Sequence, residues 1–304
     1  MLTPNNPYYQ QVVLLIELLP IVAQETCFAL KGGTAINVFV PNMPRLSVDI
    51  DLTYLPVHDR RTSLREVGAA LERLAISIEG KWSRVRIDRH SAEGQVFKLI
   101  VWRGNAQVKI EVSPVLRGCV REPTFLGPSP TVENQFGYVE AHVVHSHDLY
   151  AGKLCAALDR QHPRDLFDVK VLLETEGLDE ELIDVLIVYL LSSNRALAEM
   201  LSPNLHPIAA TFEEQFRGMA LVPVTVEELE HTRQSMITRI REGLSEQHRN
   251  FLISFKHGEP HWGLLNVQGV EQLPAVQWKL KNIRSMTPAK RKQAIDRLRH
   301  VLFG

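Results

Sequence analysis

Two aspartates, Asp49 and Asp51, stand one residue apart in a segment that alternates in character. Leu46, Val48, Ile50 and Leu52 fall on one face of residues 45–54, and Ser47, Asp49 and Asp51 on the other. Alternation with period two predicts a half-buried strand. A rise of about 3.3 Å per residue then sets the two carboxylates roughly 6–7 Å apart on the same side. Aspartate is a poor strand former, and like charges on one face repel. A hard divalent cation such as Mg²⁺ would gather them, because it takes oxygen ligands from one or two carboxylates plus substrate phosphates. The plain alternative is two solvated aspartates on an exposed strand, and Asp-x-Asp alone does not decide between the two.

Three further groups sharpen the choice. Gly32 and Gly33 precede Thr34 between a short apolar segment and a short helical one. Glycines there let the backbone approach a ligand, and a helix start offers free N–H groups to phosphate oxygens. Thr34 adds a hydroxyl donor; a turn without a ligand has the same appearance. Glu111 lies in Val108-Lys109-Ile110-Glu111-Val112, facing away from Ile110 and Val112. It is either a third acid for metal-assisted phosphoryl transfer or a surface residue paired with Lys98 or Arg103. Lys153, Arg160, Arg164, Asp165 and Asp168 form the last group, with Lys153 and Arg160 on one helix face. Lys153 supplies a point charge for a triphosphate, and Asp168 orients either Lys153 or a base edge. A solvated, salt-bridged helical hairpin is the competing account.

These residues need elements to position them. An apolar first helix spans about residues 12–23, and Pro41 ends the short helix that follows the glycines. A helical pattern covers residues 60–79, and strand-like segments cover 82–88, 96–102 and 107–112, with Gly104-Asn105 as a hairpin turn. Strand signals fade beyond the Pro/Gly-bearing stretch 121–137. Helices are expected from Ser146, after Pro163, and over 178–191, 226–244 and 289–303, the last capped by Thr287 with Pro288 at its first position. The fold class is therefore α/β (α+β), a mixed sheet rather than a doubly wound one, followed by a helical half. The expected domains are 1–140 and 141–304.

Composition sets the outer bounds. The chain has 304 residues, 45% hydrophobic and 23% charged, with a formal net charge of -1. That supports a substantial core and excludes polyanion binding by bulk charge. Cys27, Cys119 and Cys155 form no CxxC pair, which excludes a zinc knuckle or disulfide framework and fits a reducing cytoplasm. The first apolar run is too short for a bilayer, and residues 1–11 hold no Lys or Arg, so neither a membrane span nor a signal peptide is expected. The histidines at 142, 145, 147, 257 and 261 lack partners at zinc-site spacing and read as structural or solvated.

Lys31-Gly32-Gly33-Thr34-Ala35, then Arg45-Leu46-Ser47-Val48-Asp49-Ile50-Asp51-Leu52, then Lys153 with Arg164-Asp165-Leu166-Phe167-Asp168 resembles the AbiEii/AbiGii abortive-infection toxin family. That family sits within the DNA polymerase β-like nucleotidyltransferases and includes the MenT toxins. The likeness is strong over residues 25–175 and looser beyond. It implies a nucleotidyltransferase domain with a helical second lobe completing the active site, Mg²⁺ with an NTP donor, and often a tRNA 3′ end as acceptor. It also implies a neighbouring antitoxin. By this resemblance Gly32, Gly33 and Thr34 hold the triphosphate, and Asp49 and Asp51 bind metal. Lys153 binds phosphate and Asp168 completes the site. The third acid is Glu111, where an aspartate is more usual.

Charge is unevenly spread. Residues 277–304 hold eight Lys/Arg against Asp296, residues 81–103 hold six against Asp88 and Glu93, and residues 174–184 hold six acids and no base. Such asymmetry lets a neutral protein track phosphates, with Trp102, Trp262 and Trp278 as stacking candidates. The function expected is transfer of NMP to RNA, a tRNA 3′ end, blocking translation. Transfer to a small molecule or a protein hydroxyl, or nucleotide binding without turnover, are the alternatives.

Overall fold

The computed structural model describes residue 6 and residues 8–40 and 44–304. Two compact units emerge: Met1–His145 with Gly218–Pro223, and Ser146–Arg217 with Val224–Gly304. Pro41, the expected stop of the second helix, lies outside the described residues.

The first unit is a seven-stranded mixed sheet with helices. In chain order it runs α1 (Tyr9–Val22), β1 (Phe28–Lys31), α2 (Gly32–Phe39), β2 (Asp49–Tyr54), α3 (Arg60–Lys81), β3 (Arg86–Ala92), β4 (Gln95–Arg103), β5 (Ala106–Arg117), β6 (Thr124–Leu126), α4 (Pro130–Phe136) and β7 (Ala141–Val143). The strand order is β3-β4-β5-β2-β1-β7-β6. The β2–β5 and β1–β7 pairs are parallel and the others antiparallel. Ile50, Leu52, Leu99, Val101, Val108, Ile110 and Val112 are all buried, so alternation turns one face of the central strands into core. Helix α3 packs on β4 and α1 on β5. Asp49, Asp51, Lys109 and Glu111 fall on the opposite face and stay half-buried.

Several expected boundaries move. The strand expected from residue 45 begins at Asp49, because the preceding residues bond elsewhere. Arg45 makes an isolated bridge to Ala220, and the Leu46 N–H donates to Met219 O at 2.8 Å. Helix α3 continues to Lys81, which delays the next strand to Arg86. The Gly104 turn forms the β4–β5 hairpin, with φ +58°. Strands β6 and β7, at three residues each, are too short to show periodicity.

The second unit is helical: α5 (Ser146–Arg160), α6 (Pro163–Thr175), α7 (Glu180–Ser192), α8 (Leu197–Leu201), α9 (Ala209–Gln215), α10 (Val226–Gly243), α11 (Glu246–His257), α12 (Pro274–Arg284) and α13 (Pro288–Phe303). Caps define the helix starts: Thr225 and Ser245 form capping boxes, and Thr287 accepts from the Lys290 N–H. Helix α7 is apolar nearly all round and lies in the middle of the unit, against α5 and α12. Its one buried carboxylate, Asp184, is bonded to His248 Nε2 at 3.1 Å and to the Asn266 N–H at 3.2 Å.

Candidate active site

Register fixes a row of charge across four strands of the first unit. Lys31 on β1 lies opposite Asp51 on β2, Asp51 opposite Glu111 on β5, and Glu111 opposite Lys98 on β4. One step along, Asp49 lies opposite Lys109. All three acids therefore project from a single face, as the alternation in each strand requires. The Lys109 ammonium sits 3.2 Å from Glu111 Oε2 and 3.6 Å from Asp49 Oδ2. Burial opposes the charge on Lys109, but attraction to Asp49, Asp51 and Glu111 outweighs it and raises the pKa above the ordinary lysine value. Lys31 behaves in the opposite way: burial wins over the pull of Asp51 and lowers its pKa.

The glycine corner abuts this row. Gly32 has φ +74°, and a Cβ built there would lie 2.8 Å from Asp51 Oδ2. At Gly33 a Cβ would meet Arg45 Nη2 at 2.6 Å and Ser47 Oγ at 3.0 Å. The space the glycines leave is thus filled by the chain's own Asp51 and Arg45. Thr34 is buried, and its hydroxyl contacts Ser47 Oγ at 3.0 Å and donates to the Asp49 carbonyl. The Thr34 proton ties α2 to the start of β2. Asn37 completes the corner, donating to Gly33 O at 2.8 Å and accepting from the Arg45 N–H at 3.2 Å. No side chain caps the N-terminus of α2, so its first N–H groups have no such partner.

Among the described residues no three His, Cys, Asp or Glu side chains are set around one point ready for a metal ion. The donor set nonetheless suits one. Three half-buried carboxylates share a face, and oxygens from two of them already flank one cation, the Lys109 ammonium. Hard oxygen donors of this kind suit a divalent ion that completes its shell with phosphate oxygens and water.

The second unit gathers the other expected residues. Lys153 on α5 donates to Asp165 Oδ1 at 2.9 Å and pairs with Asp168 Oδ2 at 2.8 Å, both on α6. Arg160 pairs with the other oxygen of Asp165 at 2.9 Å. Lys153, Asp165 and Asp168 are buried, so this is not a solvated hairpin. Asp168 holds Lys153, one of the two roles its spacing allowed. Burial pushes the Asp165 carboxyl up, but Lys153 and then Arg160 pull it below the ordinary aspartate range. Arg164 is half-buried at the start of α6.

Much of the expected basic surface is engaged within the chain. Lys279 donates to the Ser193 and Arg195 carbonyls, Arg284 to Gly258 O, and Arg291 to Arg284 O. On the strand side, Arg89 pairs with Glu72 and Glu79, and Arg103 with Glu17. Trp262 packs on Phe251 and Phe255, and Arg86 covers Trp102. Trp278 alone of the three stacking candidates is strongly exposed, at 59%, with the Lys281 ammonium over its ring.

Sequence reasoning passed over Lys109 and Arg45 as site residues. For Lys109 the signal was available: it lies two residues before Glu111 and so must share its face. For Arg45 the signal was its place at the head of the 45–52 segment; its role was hidden, since it depends on a glycine contact and on the distant segment Gly218–Pro223.

The first unit thus joins a mixed sheet bearing acids on β2 and β5 to a Gly-Gly helix start, and comparison with known proteins identifies this arrangement as a nucleotidyltransferase fold. The chain matches MenT4, a nucleotidyltransferase toxin from Mycobacterium tuberculosis H37Rv, with a TM-score of 0.59 and 16% identity, over 97% of this chain and 93% of that one. A family model described as "Nucleotidyl transferase AbiEii toxin, Type IV TA system" matches residues 13–282. The chain belongs to this AbiEii family of nucleotidyltransferase toxins. Membership carries with it an NTP donor, a divalent cation and an antitoxin partner. Comparison with curated proteins finds no match. No helix among the described residues is long and apolar enough to cross a membrane.

Proposed function

We propose that the protein transfers a nucleoside monophosphate from Mg²⁺-NTP to the 3′ end of an RNA, a tRNA, and so blocks translation in the cytoplasm. The observation that carries this reading is the single face on which Asp49, Asp51 and Glu111 lie, with two of their carboxylates on one cation. In the reaction the acceptor hydroxyl gives its proton to solvent water, its oxygen bonds to the α-phosphorus, and the bond from that phosphorus to the bridging oxygen breaks, releasing pyrophosphate. Bound Mg²⁺ would lower the pKa of the acceptor hydroxyl and neutralise the triphosphate. Asp49, Asp51 and Glu111 would hold it. The uncapped N–H groups at Gly32 and Gly33 would receive phosphate oxygens, while Thr34 and Arg45 keep the corner rigid. Within the second unit Lys153 is fixed between Asp165 and Asp168, and by the family resemblance it is the lysine assigned to phosphate. Exposed Trp278 and Lys281 on α12 offer a base-stacking and phosphate contact for the acceptor.

The test is incubation of purified protein with total RNA, Mg²⁺ and each α-labelled NTP in turn. Label should enter an RNase-sensitive product of tRNA size with wild type and not with Asp51→Ala. Label that resists RNase would move the acceptor to a small molecule or a protein hydroxyl. Absence of label with every nucleotide would count against transfer.

A further inference from the structure

Lys109 is directly across from Asp49 and two residues from Glu111 on its own strand. Its side chain is only 31% exposed, and its ammonium contacts an oxygen of each acid. An ordinary strand-face ion pair joins one cation to one anion. Here a tethered cation stands among three acids whose assigned task is to hold a cation. Resting on the reading of this face as the metal and triphosphate site, we propose that Lys109 is a positioning residue. It is the resident counter-ion of the acidic face before nucleotide arrives, and it gives way to the divalent ion that enters with the triphosphate.

Charge argues for this order of events. Without a cation, three carboxylates on one half-buried face repel and splay apart. Lys109 holds two of them, Asp49 and Glu111, to one cation. A bare divalent ion must displace an ammonium already in contact and gains only the carboxylates in return. An ion arriving on a triphosphate brings phosphate oxygens as further ligands. The released ammonium, on a flexible four-carbon stem, then has a phosphate to pair with. Metal binding alone is therefore weak and becomes strong with nucleotide. A purely structural Lys109, tying β5 to β2, would influence stability and leave metal affinity untouched.

Mn²⁺ binding, read from the paramagnetic resonance signal of the free ion, separates these cases without turnover. Wild type, Lys109→Met and Lys109→Arg are titrated alone and with α,β-methylene analogues of the four NTPs. Removing a cation from contact with two acids should tighten Mn²⁺ binding in Lys109→Met by at least about tenfold without nucleotide. The enhancement by nucleotide should shrink in proportion. Lys109→Arg should behave as wild type, and Asp51→Asn should cancel the gain in Lys109→Met. Lys109→Gln serves if the Met variant melts early by circular dichroism. Equal Mn²⁺ affinity in wild type and Lys109→Met, or a gain that survives Asp51→Asn, overturns the proposal. Nucleotide-dependent Mn²⁺ binding indifferent to Lys109 overturns it alone. No Mn²⁺ binding to any variant, with or without nucleotide, overturns it together with the metal reading of the face.

Discussion

A methyl group at position 32 would meet two obstacles at once. The backbone there is left-handed, with φ +74°, and the new Cβ would press on Asp51 Oδ2 at 2.8 Å. The conformation costs a non-glycine residue about 1–2 kcal/mol, a tolerable loss for a domain of this size. Moving the Asp51 carboxylate is a different matter, since misplacement of a reacting constellation by about 1 Å costs on the order of a hundredfold in rate. Gly32→Ala should therefore remain folded in denaturant melts while losing nucleotide transfer far more than stability. An active Gly32→Ala would show that Asp51 need not stand where it does. The residue scale is also where sequence was most informative. Alternation set Asp49 and Asp51 on one face of their strand and turned Glu111 away from Ile110 and Val112, because a strand leaves a side chain only two directions; that all three share a face depends on the β2–β5 pairing, which the sequence left open. The Thr34 hydroxyl was not legible, because its partner is a carbonyl fifteen residues away, brought close only by folding.

Between α5 and α6, Lys153 balances Asp165 and Asp168 almost out of reach of water, while the exposed Arg160 pairs with Asp165 from outside. Lys153→Met removes the ammonium from between two buried carboxylates, and breaking a buried ion cluster in this way destabilises by about 3–5 kcal/mol. The pH dependence follows from Asp165, whose folded pKa lies below the unfolded value of 3.8. Its contribution is present above that value and is lost as pH falls through the folded one. Without Lys153 the burial of Asp165 is offset by Arg160 alone, and its carboxyl protonates at higher pH. The stability gap between wild type and Lys153→Met in urea should be wide at pH about 7 and narrow toward pH about 4. A gap constant with pH would contradict the ion-cluster account. Helices of this unit could be read from caps and proline, as at Thr287-Pro288. The β6 and β7 strands could not, because each is three residues long, and the strand expected at 82–88 was legible only in part, since α3 runs on to Lys81 and β3 spans Arg86–Ala92.

For the whole molecule, a net charge of -1 conceals two units of different character. The basic run at 277–304 looked like a phosphate track in the sequence, yet Lys279, Arg284 and Arg291 are bonded to carbonyls. Linear charge counts do not register such bonds, which arise only when helices pack. The return of Gly218–Pro223 to the first unit was equally hidden, since it rests on a non-local bridge from Ala220 to Arg45. What remains central is that phosphoryl transfer depends on the acids of β2 and β5. Pyrophosphate release, followed with wild type, Asp51→Asn and Glu111→Gln in Mg²⁺ and a mixture of NTPs with RNA, tests this most directly. Each substitution removes charge that would stabilise the transition state and should slow release by about a hundredfold or more, with the fold intact by circular dichroism. Release at the wild-type rate from Asp51→Asn would contradict the assignment of this face as the catalytic centre.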